Sequence, residues 1–483
     1  MGILLLGACK QNAVPPTLTW SAYEQEITED SQLVFKLTQP AGIPMLIKAW
    51  GYEVEFELTT TDLDKQASHS TKTPYIRLGP QFQLLEKRDA DTEIQITLTP
   101  TSFTKNAHIS IEAFALSETD QASKSQVEAY RLVSGALEST QSENKELWQE
   151  KVEELQAASQ ILENLGQVET RMWIQSYENL FTYFPLYEYE EAFTKSKSLE
   201  REAHQRGLTH IELFALQMQG HAYSERTASD NEETTAKKFI EALFAFDKAM
   251  NIANQHALEY EIAWITNNKA VAHFYAGDFA EGMRIIERAE TLAKYLSDQF
   301  LLTMVQTNIV NTKTEAGDLS GAIESLNRII NSIPEDKNPQ KVSMIQAEIA
   351  KIHARRYEFP QAIEGMSSAL IYFEKTEDQE STGRTRISLA SAYFQVGNTT
   401  RALELLDLAL VDMTSANHGL GLYSLHKLLA NIYRQLGLHK EMSKHRDLQL
   451  ESLSTDFERA SFNFESAKDL YTQNHLGDSK QYF

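Results

Sequence analysis

The chain has few side chains suited to catalysis, and its single cysteine, Cys9, is the first to consider. A cysteine nucleophile needs a histidine beside it to take up the thiol proton. Cys9 lies in the opening stretch MGILLLGACKQ, on an N-terminal leader behind a run of leucines. One cysteine also rules out an intrachain disulfide and a multi-cysteine zinc site. We therefore expect no cysteine-based catalysis.

The spacing of the histidines argues against a metal site. His439 and His445 are six residues apart, and so are His204 and His210. Two ligands on one helical face need i,i+3 or i,i+4 spacing, as in the zinc motif H-E-x-x-H. The sequence also contains no G-x-S-x-G, P-loop or G-x-G-x-x-G motif. We predict that the chain has no catalytic residue, no metal site and no cofactor.

The charge balance excludes one large class of partner. The 483 residues include 45 basic and 68 acidic side chains, which give a formal net charge of −23 at pH 7. This charge repels nucleic acid and anionic lipid. Apart from Ile3–Ala8, no apolar run approaches the roughly 18–20 residues that span a bilayer. We predict no nucleic-acid partner, and membrane contact only through the N-terminus.

The opening residues resemble the signal of a bacterial lipoprotein. Leu6, Gly7, Ala8 and Cys9 fit a lipobox, in which two small residues precede the cysteine that is acylated. The resemblance implies a lipid anchor on Cys9, in which each buried methylene contributes about 0.8 kcal/mol. Lys10 stands where an aspartate favours inner-membrane retention in this family, so an outer-membrane protein facing the periplasm is expected. A basic n-region is missing, and the alternative is a leucine-rich start on a cytoplasmic protein.

The predicted secondary structure changes along the chain, from strands in the N-terminal part to helices in the rest. Residues 19–117 alternate apolar and polar side chains with period two, which predicts a small antiparallel β-sandwich. The alternating segments are Leu33–Leu37, Val54–Leu58, Glu93–Leu98 and Ile109–Phe114. After that the pattern is helical. The predicted organisation is a signal segment 1–9, a tether 10–18, the β-sandwich 19–117, a helical connector 118–165, a repeat region 166–455 and a C-terminal tail 456–483.

The repeat region is recognised by steps of 40 residues from the stretch LASAYFQVGNTTRALELLDLAL, residues 389–410. One series of positions predicts the turn between two helices, and it contains Gly277, Gly317, Tyr357, Gly397 and Gly437. A second series predicts a helix crossing, where small side chains let two axes approach, and it contains Gly282, Ala322, Ala362, Ala402 and Met442. The last unit departs from the pattern at Met442 and Gln449, and terminal repeats are expected to be atypical.

This spacing resembles that of tetratricopeptide (TPR) repeats, in the long-repeat form found in bacteria. The resemblance predicts a mainly α fold, a solenoid of about seven helix pairs preceded by the β-sandwich. The chain resembles the non-catalytic part of TPR–CHAT proteins, in which a long TPR array precedes a cysteine peptidase domain. The tail 456–483 leaves no room for such a domain, so we expect no peptidase activity.

In TPR proteins the first helix of each pair lines a groove, and this resemblance selects candidate binding residues. Asparagine amides can satisfy both donors and acceptors of a peptide backbone, aromatic side chains supply anchors, and basic side chains meet a carboxylate. The predicted groove residues are Trp264, Asn268, Phe274, Tyr275, Asn308, Asn311, Lys351, Arg355 and Phe394. The alternative for Asn268 and Asn308 is that they only satisfy contacts between helices.

The sequence therefore predicts a non-catalytic scaffold or adaptor of the bacterial cell envelope, which binds protein or peptide partners through the groove. One alternative is the sensory or regulatory half of a signalling or CHAT-type peptidase system whose effector is on another chain. A second alternative is a glycan-binding lipoprotein similar to the SusD family, although that family lacks the N-terminal strands.

Overall fold

The computed structural model describes residues 18–23, 33–63, 65, 67–71, 79–116, 118–137, 145–184, 186–224, 232–333, 338–416 and 418–452. Cys9, the rest of the lipobox and the tail 456–483 lie outside the described residues. The density of contacts divides the chain into two compact units, residues 1–305 and 306–483.

Six antiparallel strands form the described part of the N-terminal region, as the alternating pattern predicts. They are β1 (Leu18–Tyr23), β2 (Leu33–Gln39), β3 (Met45–Asp62), β4 (Ala67–Thr71), β5 (Gln81–Leu85) and β6 (Thr92–Ala115). The long strands β3 and β6 pair with each other from Met45↔Ala115 to Asp62↔Ile94. Strands β2 and β1 pair with the two ends of β6, and β5 and β4 pair with the two ends of β3.

The β region is therefore sandwich-like, but its two halves are one hydrogen-bonded sheet. Strands β3 and β6 run through both halves, and their register shifts at Tyr52/Val54 and at Glu55/Phe56. Such bulges bend a strand. Buried side chains from both halves, among them Ile47, Leu58 and Ile96, belong to one hydrophobic cluster. The predicted alternation is confirmed, whereas the continuity of two strands through both halves was not predicted.

The β region shares a core with the first helices, α1 (Gln121–Leu137), α2 (Lys145–Asn164) and α3 (Val168–Tyr183). Leu46 of β3 and Phe82 of β5 lie in one hydrophobic cluster with Tyr130 of α1 and Tyr177 of α3. The hydroxyl group of Tyr177 donates a hydrogen bond to the carbonyl oxygen of Pro80. Contacts on the other side of the sheet thus fix the strands to the helical array.

Fourteen helices between Val168 and Glu451 form seven successive pairs in the described chain. After α3 they are α4 (Tyr189–Arg206), α5 (Thr209–Ser224), α6 (Glu232–Gln255), α7 (Glu259–Tyr275), α8 (Phe279–Leu296), α9 (Gln299–Glu315), α10 (Leu319–Ser332), α11 (Pro339–Arg355), α12 (Phe359–Lys375), α13 (Gln379–Gln395), α14 (Thr399–Ser415), α15 (Gly419–Gln435) and α16 (His439–Glu451). The fold is the predicted TPR-like α-solenoid. None of the described helices is long and apolar enough to cross a membrane.

The turn inside each pair confirms the predicted 40-residue frame. Gly277, Gly317 and Gly397 each have φ of 82°, and Gly437 has φ of 73°. Tyr357 takes the same left-handed conformation with φ of 62° although it has a side chain. Glycine adopts this conformation at little cost, whereas an L residue with a Cβ is strained there by roughly 1–2 kcal/mol. The next residue often caps the second helix: the carboxylates of Asp278 and Asp318 and the amide of Asn398 each accept a backbone N–H.

The helix crossings confirm the second series of positions. Ala322, Ala362 and Ala402 are fully buried. At Gly282 a Cβ atom would come within 2.2 Å of the ring of Phe274, which leaves no room for even a methyl group. Small residues at these four crossings therefore set the distance between the two helices of their pairs.

We predict that Gly282→Ala lowers the free energy of unfolding by about 1–3 kcal/mol, since overpacking costs more than the helix propensity that alanine adds. The matched control is Gly135→Ala in α1, where the nearest atom to a new Cβ is 3.8 Å away. There the free energy of unfolding should rise by up to about 1 kcal/mol. Urea denaturation followed by tryptophan fluorescence measures both, because all five tryptophans precede residue 306. Equal effects of the two variants would contradict the predicted close crossing.

Candidate functional site

A cavity of about 670 Å³ opens in the second unit on the side formed by the first helices of its last three pairs. We call it the C-terminal cavity. Helices α11, α13, α15 and α16 supply its walls, and α12 contributes one side chain, Met366. The predicted role of the first helices as the lining of a groove therefore applies in this part of the chain.

The charged side chains that line the C-terminal cavity are all basic. They are Lys351 of α11, Lys427 and Arg434 of α15, and Arg446 of α16. No aspartate or glutamate is among the lining residues of the described chain. Acidic residues outnumber basic ones by 68 to 45 in the whole sequence, so the lining reverses the charge balance of the protein.

Neighbouring groups orient these cations. The ammonium of Lys427 lies 5.7 Å from the centroid of the Tyr423 ring, within the range of a cation–π contact. The guanidinium of Arg434 donates to Oδ1 of Asn431 at 2.7 Å. Lys351 pairs with Glu348 at 3.0 Å, and Arg446 is 8% exposed. Within the described chain Lys427 has no ion pair, so its charge is available to a ligand.

The rest of the lining combines apolar and hydrogen-bonding side chains. The apolar ones include Ile387, Leu428 and Met442, and the polar ones include Ser388, Ser391, Ser424, Asn431 and Gln449. Hydroxyl and amide groups can both donate and accept hydrogen bonds. The cavity thus offers anchors for apolar side chains, partners for a peptide backbone, and positive charge.

The predicted groove residues of the second unit are found in different settings. Lys351 lines the cavity. Asn311 is exposed at the same repeat position on α9, and Asn308 is partly exposed one helical turn before it. Arg355 is exposed, lies outside the cavity lining and pairs with Glu315 at 3.2 Å. Phe394 is partly buried and packs against the hydrophobic core.

In the first unit the predicted groove residues mostly join helices to each other. Trp264 is 3% exposed, with its ring centroid 6.0 Å from that of Phe300. Asn268 is 7% exposed, and its Nδ2 lies 3.1 Å from Nε2 of His221. Asn268 thus contacts a neighbouring first helix, which is the alternative that the sequence left open for it. It does so because it is buried between α5 and α7.

The two aromatic residues at the end of α7 also differ from each other. Phe274 packs over Gly282 and fills the space that a side chain there would need. Tyr275 is 47% exposed. Of the four candidates in this unit, only Tyr275 presents a large exposed surface to a partner.

Several cavity residues were not among the predicted site residues, and two of them carry a signal in the sequence. Met442 and Gln449 are the departures from the repeat pattern in the last pair, and both line the cavity. Arg446 and Tyr423 give no such signal, because only the packing of α15 against α16 brings them to the cavity.

A pair of histidines joins α15 to α16 beside the cavity. Nδ1 of His426 and Nδ1 of His445 are 3.1 Å apart, and the ring of Tyr433 stacks on His445. His426 is 4% exposed. Burial, together with His445 and Lys444, lowers the pKa of His426 to about 4. Burial and Lys444 also lower the pKa of His445, against a smaller opposing effect of Asp407.

We predict that acid loosens α16. The pKa of a histidine in an unfolded chain is near 6.5. Between that pH and about 4, His426 is therefore protonated in the unfolded state but remains neutral in the folded state. The contribution of His426 to the free energy of unfolding is fully present above pH ~6.5, and it falls by up to about 3 kcal/mol as the pH approaches 4. Hydrogen-exchange protection factors of α16 should therefore fall between pH 6.5 and 4.5, and less steeply in His426→Gln. The same slope in both proteins would contradict this origin.

Comparison with known proteins finds solved structures that are similar to this chain at low sequence identity. No protein-family model and no curated protein matches it. Among solved structures, apo RapI is 15% identical with a TM-score of 0.45, covering 75% of this chain and 95% of RapI. The apo quorum sensor NprR of B. thuringiensis is 14% identical with a TM-score of 0.40, covering 70% of this chain and 95% of NprR. Yeast Tom70 is 12% identical with a TM-score of 0.43, covering 74% and 66%.

Proposed function

We propose that this protein is a non-catalytic scaffold that holds a protein or peptide partner in the C-terminal cavity. The observation that supports the proposal most directly is the cavity itself, about 670 Å³ and lined by the first helices of three successive pairs. Ligand sites in proteins typically occupy about 300–1,000 Å³. The open face of a solenoid is also its longest continuous surface for an extended partner.

The lining chemistry favours binding over catalysis. General acids and bases are most often histidine, aspartate or glutamate, and nucleophilic pairs use cysteine or serine with such a base. The described lining of the cavity contains serines but no histidine, aspartate, glutamate or cysteine. The hydroxyls of Ser388 and Ser424 donate hydrogen bonds to the carbonyl oxygens of Arg384 and Leu420, so these two serines serve as hydrogen-bonding groups.

The expected result of blocking the cavity is loss of peptide binding. Peptides selected from a random phage library on the full chain should bind Ser391→Tyr at least about tenfold more weakly, since the new ring fills the space between α11, α13 and α15. The matched control is Ser368→Tyr on α12, where the side chain is exposed away from the cavity lining. Calorimetry measures both affinities, and circular dichroism checks that the variants keep their helices.

Two results would contradict this function. Selected peptides that bind both tyrosine variants as tightly as the original chain must use another surface. Selected peptides that bind equally well after residues 306–483 are removed would show that the first unit, with its β region, is the binding part.

We also propose that the scaffold is held in the bacterial cell envelope by lipid on Cys9, as an outer-membrane protein facing the periplasm. The support is the sequence Leu-Gly-Ala-Cys at residues 6–9. The protein expressed in a bacterium should partition into the detergent phase, and Cys9→Ser should move it to the aqueous phase because the acyl chains are lost. Lys10→Ser should keep the partition unchanged. Equal partition of the original chain and Cys9→Ser would refute the anchor.

A further inference from the structure

We propose that the C-terminal cavity selects an acidic peptide segment, with carboxylates that meet its cations and an apolar side chain between them. The inference rests on the proposed function and adds the chemistry of the partner. It is carried by three features of the cavity: the sign of its charge, the way its cations are held, and the apolar side chains between them.

The sign of the charge is the first feature. Lys351, Lys427, Arg434 and Arg446 converge on one cavity from three helices, without a carboxylate in the described lining. Lys427 and Arg434 have no ion pair within the described chain, and the repulsion between their like charges is relieved when a ligand of opposite charge enters the cavity. The chain as a whole has a net charge of −23, so a cavity whose charged lining residues are all basic differs in sign from the rest of the protein. Electrostatic complementarity of this kind sets partner specificity.

The cations are also held in place before a ligand arrives. Tyr423 supports the ammonium of Lys427, and Asn431 accepts from the guanidinium of Arg434 at 2.7 Å. A guanidinium presents further N–H donors in a plane that fits both oxygens of a carboxylate. Side chains that are already ordered lose less conformational entropy on binding. Lys427 and Arg434 are therefore the two groups expected to contribute most.

The apolar side chains distinguish a peptide from a small anion. Ile387, Leu428 and Met442 share the lining with the cations, and a phosphate-sized ion would leave them exposed to water. A peptide with an apolar residue between its acidic ones covers them and gains from their burial. A nucleic acid extends its charge beyond the cavity, where the net charge of −23 repels it.

The test uses the full chain and two fluorescein-labelled peptides of alternating glutamate, leucine and serine. The second peptide has glutamine at every glutamate position. Fluorescence anisotropy should show the acidic peptide binding at least roughly tenfold more tightly, the ratio expected from one charge-assisted contact. Lys427→Gln with Arg434→Gln should weaken the acidic peptide by a similar factor and the glutamine peptide much less. The matched control, Lys375→Gln with Arg401→Gln, removes the same charge from exposed positions outside the cavity and should change neither affinity.

Three outcomes would overturn the inference. Equal binding of the two peptides, each lost in Ser391→Tyr, would show a peptide site without a preference for acid and would leave the proposed function standing. Binding of neither peptide, while library peptides bind and are lost in Ser391→Tyr, would mean that the ligand has other chemistry. Displacement of the acidic peptide by inorganic phosphate or heparin at equal charge concentration would identify a general anion site instead.

Discussion

The close approach of the two helices in each pair is the constraint on which this structure depends. Fully buried small residues at the described crossings, such as Gly282, Ala362 and Ala402, set the spacing, and left-handed residues at the described turns, such as Gly277 and Gly397, reverse the chain within a few residues. Neither feature stabilises much alone, because a single pair cannot bury its own apolar face. Together they repeat the same geometry every 40 residues, so that neighbouring pairs supply one another's core.

The site is a result of this repetition. When pairs stack in a fixed frame, side chains at one repeat position fall into a row, as Asn311, Lys351, Ser391 and Asn431 do on successive first helices. These positions are not needed for the helix crossing, so their chemistry can vary while the fold stays the same. The cavity forms where the row becomes polar and basic and where the last pair departs from the pattern with Met442 and Gln449.

The sequence predicted the parts of the fold that depend on local backbone constraints. Turn glycines and crossing alanines have one physical role each, so their spacing identified seven pairs, and period two identified the strands. Burial of individual groove residues depends on the neighbouring helix. Asn268 contacts His221, which lies 47 residues earlier, and Lys351 faces the cavity, although both belong to first helices. The partner of Arg355, Glu315, lies one repeat away and also depends on packing. Strands β3 and β6 each continue through two bulges, and a bulge cannot be predicted from the alternation of apolar and polar residues.

The charge reversal in the C-terminal cavity has a consequence for the kinetics of association. At low ionic strength, where screening is weak, an acidic segment that approaches a chain of charge −23 is repelled by the protein as a whole and is attracted only close to the cavity. Encounter is therefore slow at low ionic strength and faster when salt screens the distant charges. The short contacts to Lys427 and Arg434 are screened less, so they govern how long the segment stays. For the proposed acidic partner, the surface charge would limit the rate of arrival, and the cavity would determine the lifetime of the complex.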